Sequence, residues 1–321
     1  MFRPKQLVSI FVLSTALSCG VSAAEFDGKK VLYIDSYHAG YEWSDGITSG
    51  VEKRLQGTGV ELKIVRMDTK RNKSDAFKEE AAQKAKAEIE SFQPDVVIAS
   101  DDNASKFLIQ PFYKDADVPF VFCGVNWDAG VYGYPYKNVT GMVEVSGVKE
   151  LVELMQQFAK GNRVGFLSED TLTERKEVEN YKTQLGIEVQ PVYIQSFDEW
   201  KQKYTELQDQ VDILIIGNTA GLADFDANAA AEYAFAHTKI PSGTVQMGPM
   251  PYSLVGYLKV AEEQGTWAAN SAMEILRGRS PADIPIERNK EGQVVINLKM
   301  ADAGSIEIPY SLIESATMVM Q

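Results

Sequence analysis

The sequence predicts an α/β protein of two lobes, each a parallel sheet flanked by helices. Two observations carry this. Short β-rich apolar runs alternate with helix-period segments along nearly the whole chain, the pattern of a parallel sheet covered on both faces. The alternation also runs twice, as two series separated by a Gly/Pro/Tyr loop over residues 130–136.

The first series places strands at 31–36, 62–67, 96–100 and 120–124, with helices at about 45–56, 75–92 and 104–114. Asp75 is a good N-cap, and the helix after it is charged on most faces, which puts it on the surface. After Asn138-Val-Thr-Gly-Met-Val143 a fresh helix is expected over 147–160. The second series has strands at 163–168, 188–195, 212–217 and 242–247, and helices at 171–185, 198–208 and 224–237. Residues 25–142 are thus assigned to lobe I and 143–255 to lobe II. Residues 256–321 are expected to return to lobe I through a helix at 266–277.

The first residues read as an export signal. Arg3 and Lys5 precede an apolar run at 7–17 that is too short to span a membrane, and Ser22-Ala23-Ala24 supplies a small-x-small cleavage site before Glu25. Cys19 invites a lipoprotein reading, but Ala16-Leu17-Ser18 does not place leucine where a lipobox wants it. The mature protein is expected to be soluble and periplasmic. Cys123 is then its one cysteine, so no intrachain disulfide forms, and a chain of this length can build cores without staples. Removing Arg3 and Lys5 takes the formal charge from −13 to about −15, which disfavours nucleic acid and anionic membranes as partners. A monomer is expected.

In open parallel sheets, ligands sit outside the carboxyl ends of the strands. Two such lobes facing one another make a cleft that can close about a hinge. The post-strand loops are therefore the candidate site. Tyr37, His38, Tyr41 and Trp43 follow the first strand and can form a stacking wall for a ring or a cation, or simply pack on the sheet edge. Asp101, Asp102 and Asn103 follow the third strand; they can cap a helix, bind an ammonium or hydroxyl, or do both. Asn126 and Trp127 follow the fourth and offer a hydrogen-bonding amide and a second stacking face. Cys123 reads as a small buried hydrophobe. Glu144 lies beside the Asn-Val-Thr-Gly segment near the expected hinge. In lobe II, Glu169, Thr171, Asn218 and Thr219 hold the matching positions, as ligand contacts or as caps. Tyr252, after the Pro249-Met-Pro251 turn, is placed either on the cleft floor or in the core.

Catalysis is not expected. No G-x-S-x-G elbow, P-loop or H-E-x-x-H occurs. With His38 and His237 as the only histidines and no clustered cysteines, neither a metal nor another cofactor is expected. Asp101, Asp102, Glu144, Glu169 and Asp170 outnumber Lys106 and Arg175 near the strand ends, and a carboxylate in a dry cleft is costly unless paired. This favours a cationic or zwitterionic ligand.

Three C-terminal stretches stand out: Leu276-Arg-Gly-Arg-Ser-Pro-Ala-Asp-Ile-Pro-Ile-Glu287, Val294-Val-Ile-Asn-Leu-Lys-Met-Ala301 and Glu307-Ile-Pro-Tyr-Ser-Leu312. With Asn138-Val-Thr-Gly141, Tyr33-Ile-Asp-Ser-Tyr-His38 and Pro94-Asp-Val-Val-Ile-Ala-Ser100, they resemble the ABC-transporter substrate-binding proteins of the tryptophan/tyrosine-importer type. The resemblance implies a type I periplasmic-binding-protein clamshell that captures a small molecule and delivers it to an ABC permease. The loop Ser36-Tyr-His-Ala-Gly-Tyr-Glu-Trp-Ser-Asp45 is richer in aromatics than the family pattern, and Gln246-Met-Gly-Pro-Met-Pro-Tyr252 replaces a glycine-rich stretch. Relatives with such a first loop also resemble periplasmic sensors that partner membrane histidine kinases, so signalling is the alternative output.

Overall fold

The computed structural model describes residues 24–321. The export-signal and Cys19 expectations concern residues outside this range, up to the proposed cut before Glu25.

The first lobe is built from β1 (Lys30–Asp35), α1 (Glu42–Leu55), β2 (Glu61–Arg66), α2 (Asp75–Phe92), β3 (Val96–Ser100), a helical stretch, β4 (Phe120–Asn126) and β5 (Val139–Glu144). The stretch consists of α3 (Asp101–Ala104), a π turn (Ser105–Ile109) and α4 (Gln110–Phe112). Period-2 alternation splits the strands between two half-cores. Leu32, Ile34, Val97, Ala99, Phe120 and Phe122 face α2 and the π turn. Val31, Tyr33, Val96, Ile98, Val121 and Cys123 face the other way, onto α1. Burial on both faces is why these strands read as near-continuous apolar runs. The N-cap of α2 is Ser74, whose side chain accepts from Phe77 N at 3.3 Å, one position before the Asp75 cap expected from sequence; Asp75 is the first helical residue.

The second lobe continues with α5 (Val148–Gln156), β6 (Val164–Glu169), α6 (Leu172–Leu185), β7 (Gln190–Ile194), α7 (Phe197–Gln208), β8 (Ile213–Ile216), α8 (Ala227–His237), β9 (Ser242–Thr244) and β10 (Val255–Lys259). Then come α9 (Ala261–Leu276), β11 (Glu287–Arg288), β12 (Gly292–Asn297), α10 (Leu298–Gly304), α11 (Tyr310–Ser315) and β13 (Met318–Met320). The first sheet has the order β11-β5-β4-β3-β1-β2 and the second β13-β12-β10-β9-β8-β6-β7, parallel except for the β10–β12 pair.

This topology corrects the expected return of residues 256–321 to lobe I. The segment divides. β10 completes a strand of the second sheet, α9 and β11 belong to the first lobe, and β12 to β13 rejoin the second sheet. The chain therefore passes between lobes three times, at 144–148, 259–261 and 288–292. β12 carries a local signal in its β-branched run Val294-Val-Ile296, but its antiparallel partner β10 lies across an intervening helix and leaves none.

The recognisable motifs do structural work. Asn138 Nδ2 donates to the Tyr113 and Val118 carbonyls at 3.0 and 2.9 Å, and Thr140 Oγ1 donates to Ile284 O at 2.7 Å. Asn297 accepts from Met300 N to cap α10 and donates to Met250 O at 3.2 Å. Helices α1 and α9 meet backbone to backbone: a Cβ on Gly265 would lie 2.0 Å from Ile47 O, and one on Gly50 2.3 Å from Glu262 O. That close approach fixes α9, and hence the crossing residue Lys259 just before it, against α1.

Candidate functional site

The carboxyl ends of β1, β3, β4 and β5 converge where the first lobe meets the second. Trp43, on the first turn of α1, is held from two sides. Its Nε1 donates to Asp101 Oδ1 at 3.0 Å, and Lys259 Nζ lies 5.5 Å from its ring centroid. The Lys259 ammonium also hydrogen-bonds and ion-pairs with Glu144 Oε1. Burial alone would lower the Lys259 pKa, but the Glu144 charge and hydrogen bond outweigh it and raise it, so the lysine stays charged. Glu144 ends β5 and Lys259 ends β10, so the pair joins two of the three crossings.

Asp101 is 2% exposed and sits at φ 66°, a backbone region that disfavours a side chain. Its Oδ2 is buried without a hydrogen-bond partner. Burial, reinforced by the Glu144 charge, holds its carboxyl well above the usual carboxylate range.

Between the lobes lies a cavity of 480 Å³ lined by Tyr41, Trp43 and Gly46 from one side and Val245, Gln246, Met247, Leu258, Lys259 and Gln293 from the other. It offers an aromatic wall, an ammonium and amide groups to one occupant. A hollow of 620 Å³ lies at the opposite pole of lobe II, near Arg163 and Asp212 at the amino ends of β6 and β8. Four of its charges are paired within the chain, Arg163 with Asp212 at 3.0 Å and Lys239 with Asp209 at 2.8 Å.

The other expected site residues distribute as follows. Tyr37 packs edge-on against Tyr41 with centroids 5.4 Å apart, and His38, whose Nδ1 lies 2.9 Å from Ala39 O, is 6.0 Å from Tyr41. Asp102 accepts from Asn126 at 2.6 Å and from the Tyr132 hydroxyl at 2.7 Å, while Asn103 turns away to donate to Thr69 at 2.9 Å. Trp127 does not share the Trp43 wall. It reaches the second lobe, donating Nε1 to Glu177 Oε1 at 2.8 Å and packing 6.0 Å from the Tyr181 ring.

In lobe II the post-strand residues build their own loops. Glu169 accepts from Gly221 N, Thr171 caps α6 through Glu174 N at 3.3 Å, and Asn218 Oδ1 accepts from Ala220 N at 3.0 Å. Tyr252 takes the core position of its two alternatives, and Thr219, expected as a ligand contact or a cap, is buried against it. The two hydroxyls meet at 3.1 Å, and the Tyr252 ring, 2% exposed, packs in the core edge-on to Trp200 and tilted against Phe225 rather than flooring the cleft. Lobe II instead contributes Gln246, Met247 and Lys259. Lys259 gives no sequence signal because it lies at the start of the segment expected to return to lobe I, and Glu177 because it is a mid-helix acid in a charged helix. The argument from unpaired acids also narrows: Glu144 has Lys259, Asp170 has Arg175 at 2.7 Å, and Asp102 has two donors.

Two open, mostly parallel sheets, facing each other and joined by three crossings around a cavity, define a type I periplasmic-binding-protein clamshell. The chain belongs to the ABC transporter substrate-binding protein family, whose profile matches residues 42–320. A ligand-free, open substrate-binding protein with adhesive properties from Clostridium difficile is similar, with a TM-score of 0.71 at 19% identity over 91% of this chain and 99% of that one. An ABC domain in complex with L-Trp from Streptococcus pneumonia has a TM-score of 0.55 at 19% identity, over 91% and 100%. A periplasmic ribose ABC transporter protein from Conexibacter woesei has 0.55 at 16%, over 91% and 99%. At these identities the likeness is one of fold. Comparison with curated proteins gave no significant match.

Proposed function

We propose that this substrate-binding protein captures a small polar solute bearing an aromatic or amine group in the 480 Å³ interlobe cavity and hands it to an ABC permease. The observation that carries this reading is Trp43, an indole fixed at its edge by Asp101 and at its face by Lys259, on a wall shared by both lobes. A flat ligand group stacks on that indole, and its polar groups meet Lys259 and Gln246. A ligand touching both lobes favours the closed arrangement by its additional contacts. The protein does this as an exported, non-catalytic monomer. The mature chain is proposed to begin at Glu25, which an intact mass from the periplasm checks; a lipid-modified Cys19 overturns it.

Regulation of a membrane histidine kinase is the second output, supported by the aromatic first loop that lines the cavity through Tyr41 and Trp43. It shares the same capture step. A thermal-shift panel of aromatic amino acids, amines, sugars and dicarboxylates tests that step, because a ligand of the native state raises the melting temperature. Stabilisation by an aromatic or amine compound is expected. Stabilisation by simple dianions alone contradicts the reading.

A further inference from the structure

Lys70, in the loop after β2, forms no ion pair among the described residues, although its neighbour Arg71 pairs with Asp68 at 2.7 Å. Its ammonium lies instead 4.9 Å from the Tyr37 ring centroid and 4.7 Å from that of Tyr41. The two rings meet edge to face, with centroids 5.4 Å apart, so they form a corner rather than a flat wall. Ring faces attract a cation through their quadrupole, and a corner presents two faces at once. Burial, with the nearby Asp102 and Glu144 carboxylates, raises the Tyr37 hydroxyl pKa above the usual phenol range, so these two charges add negative potential around the corner. Tyr41 also lines the interlobe cavity, so the corner adjoins, through that one ring, the space assigned to the ligand.

We propose that the Tyr37–Tyr41 corner is a subsite for an onium group, an ammonium or a methylated ammonium, and that Lys70 fills it when no ligand is present. The inference rests on the reading of the interlobe cavity as the ligand site and adds the chemical class of one end of the ligand. Lys70 is solvent-exposed and is anchored by these ring contacts alone, so a ligand cation held by further cavity contacts displaces it. The lysine is then a competitor, and removing it strengthens cation binding. Were Lys70 instead a partner for a ligand carboxylate, removing it would weaken binding of anionic compounds and leave cations untouched.

Titration calorimetry with choline and with its uncharged isostere 3,3-dimethylbutan-1-ol separates these cases, using the full mature chain and its Lys70→Ala, Lys70→Arg and Tyr41→Leu variants. Choline is expected to bind Lys70→Ala about three- to fivefold more tightly than the parent, the factor for removing one exposed cation–π contact. Lys70→Arg should match the parent, Tyr41→Leu should weaken choline, and the isostere should bind more weakly than choline throughout. Equal choline affinity in parent and Lys70→Ala, or no choline binding to either, overturns the subsite. If an aromatic or amine solute from the panel still stabilises the protein in that case, the onium corner alone has failed. If no solute does, the capture reading fails with it.

Discussion

Lys259 and Glu144 end two different strands, one in each sheet, and their charges meet where the chain crosses between lobes. The side chains are 28% and 8% exposed, so the carboxylate is the more deeply buried partner. Removing one member of such a pair leaves the other uncompensated.

Lys259→Met is therefore expected to destabilise the protein by about 1–3 kcal/mol, less than the ~3–5 kcal/mol of a fully buried pair because solvent still reaches the ammonium. Adding Glu144→Gln should restore part of the loss. Urea unfolding midpoints of the two single variants and the double variant check this; strictly additive losses would contradict direct coupling.

The α1–α9 contact makes a second prediction. Gly265→Ala places a methyl group 2.0 Å from Ile47 O, a backbone atom that cannot rotate away. The helices must separate, at a cost of about 1–3 kcal/mol or more. Because Trp43 rides on α1 and Lys259 leads into α9, the same variant should weaken ligand binding at a distance. Stability and affinity measured together test this, and an unaffected melting temperature would refute the close packing.

Asp101 gives a pH signature. Its folded-state pKa is raised by burial and then by Glu144, so it stabilises the fold below its unfolded pKa and loses that contribution as pH rises through the folded value. Asp101→Asn keeps an acceptor for Trp43 Nε1 and removes the titration. The melting-temperature difference, variant minus parent, should grow from about pH 4 upward. A difference independent of pH contradicts the assignment. Asp101→Ala removes the same titration but also strips the indole of its acceptor, so it should lie about 1–3 kcal/mol below Asp101→Asn at every pH.

The repeated βα alternation was legible because burial on both faces forces apolar strands and the helices carry caps. The first-lobe geometry was partly legible for the same reason: strand ends point at the cleft, and Trp43, Asp101 and Glu144, each read from the sequence at such an end, lie beside one another near the crossing. What sequence could not give was pairing at long range. Lys259 reaches Glu144 across 115 positions, and β10 accepts β12 only after the chain has visited the other lobe. Trp127 and Tyr252 look like cleft aromatics by position, yet a left-handed backbone at Trp127, φ 60°, sends its ring to Tyr181, and the packing of Trp200 and Phe225 draws Tyr252 inward.

The claim that the interlobe cavity holds the solute is tested most directly by calorimetric binding of the best thermal-shift ligand to the parent and to Trp43→Ala. The indole contributes a stacking face, and such faces are worth about 1–3 kcal/mol, so Trp43→Ala should bind roughly 5- to 150-fold more weakly while keeping a cooperative melt. Parent-like affinity in Trp43→Ala would place the ligand elsewhere and contradict the account.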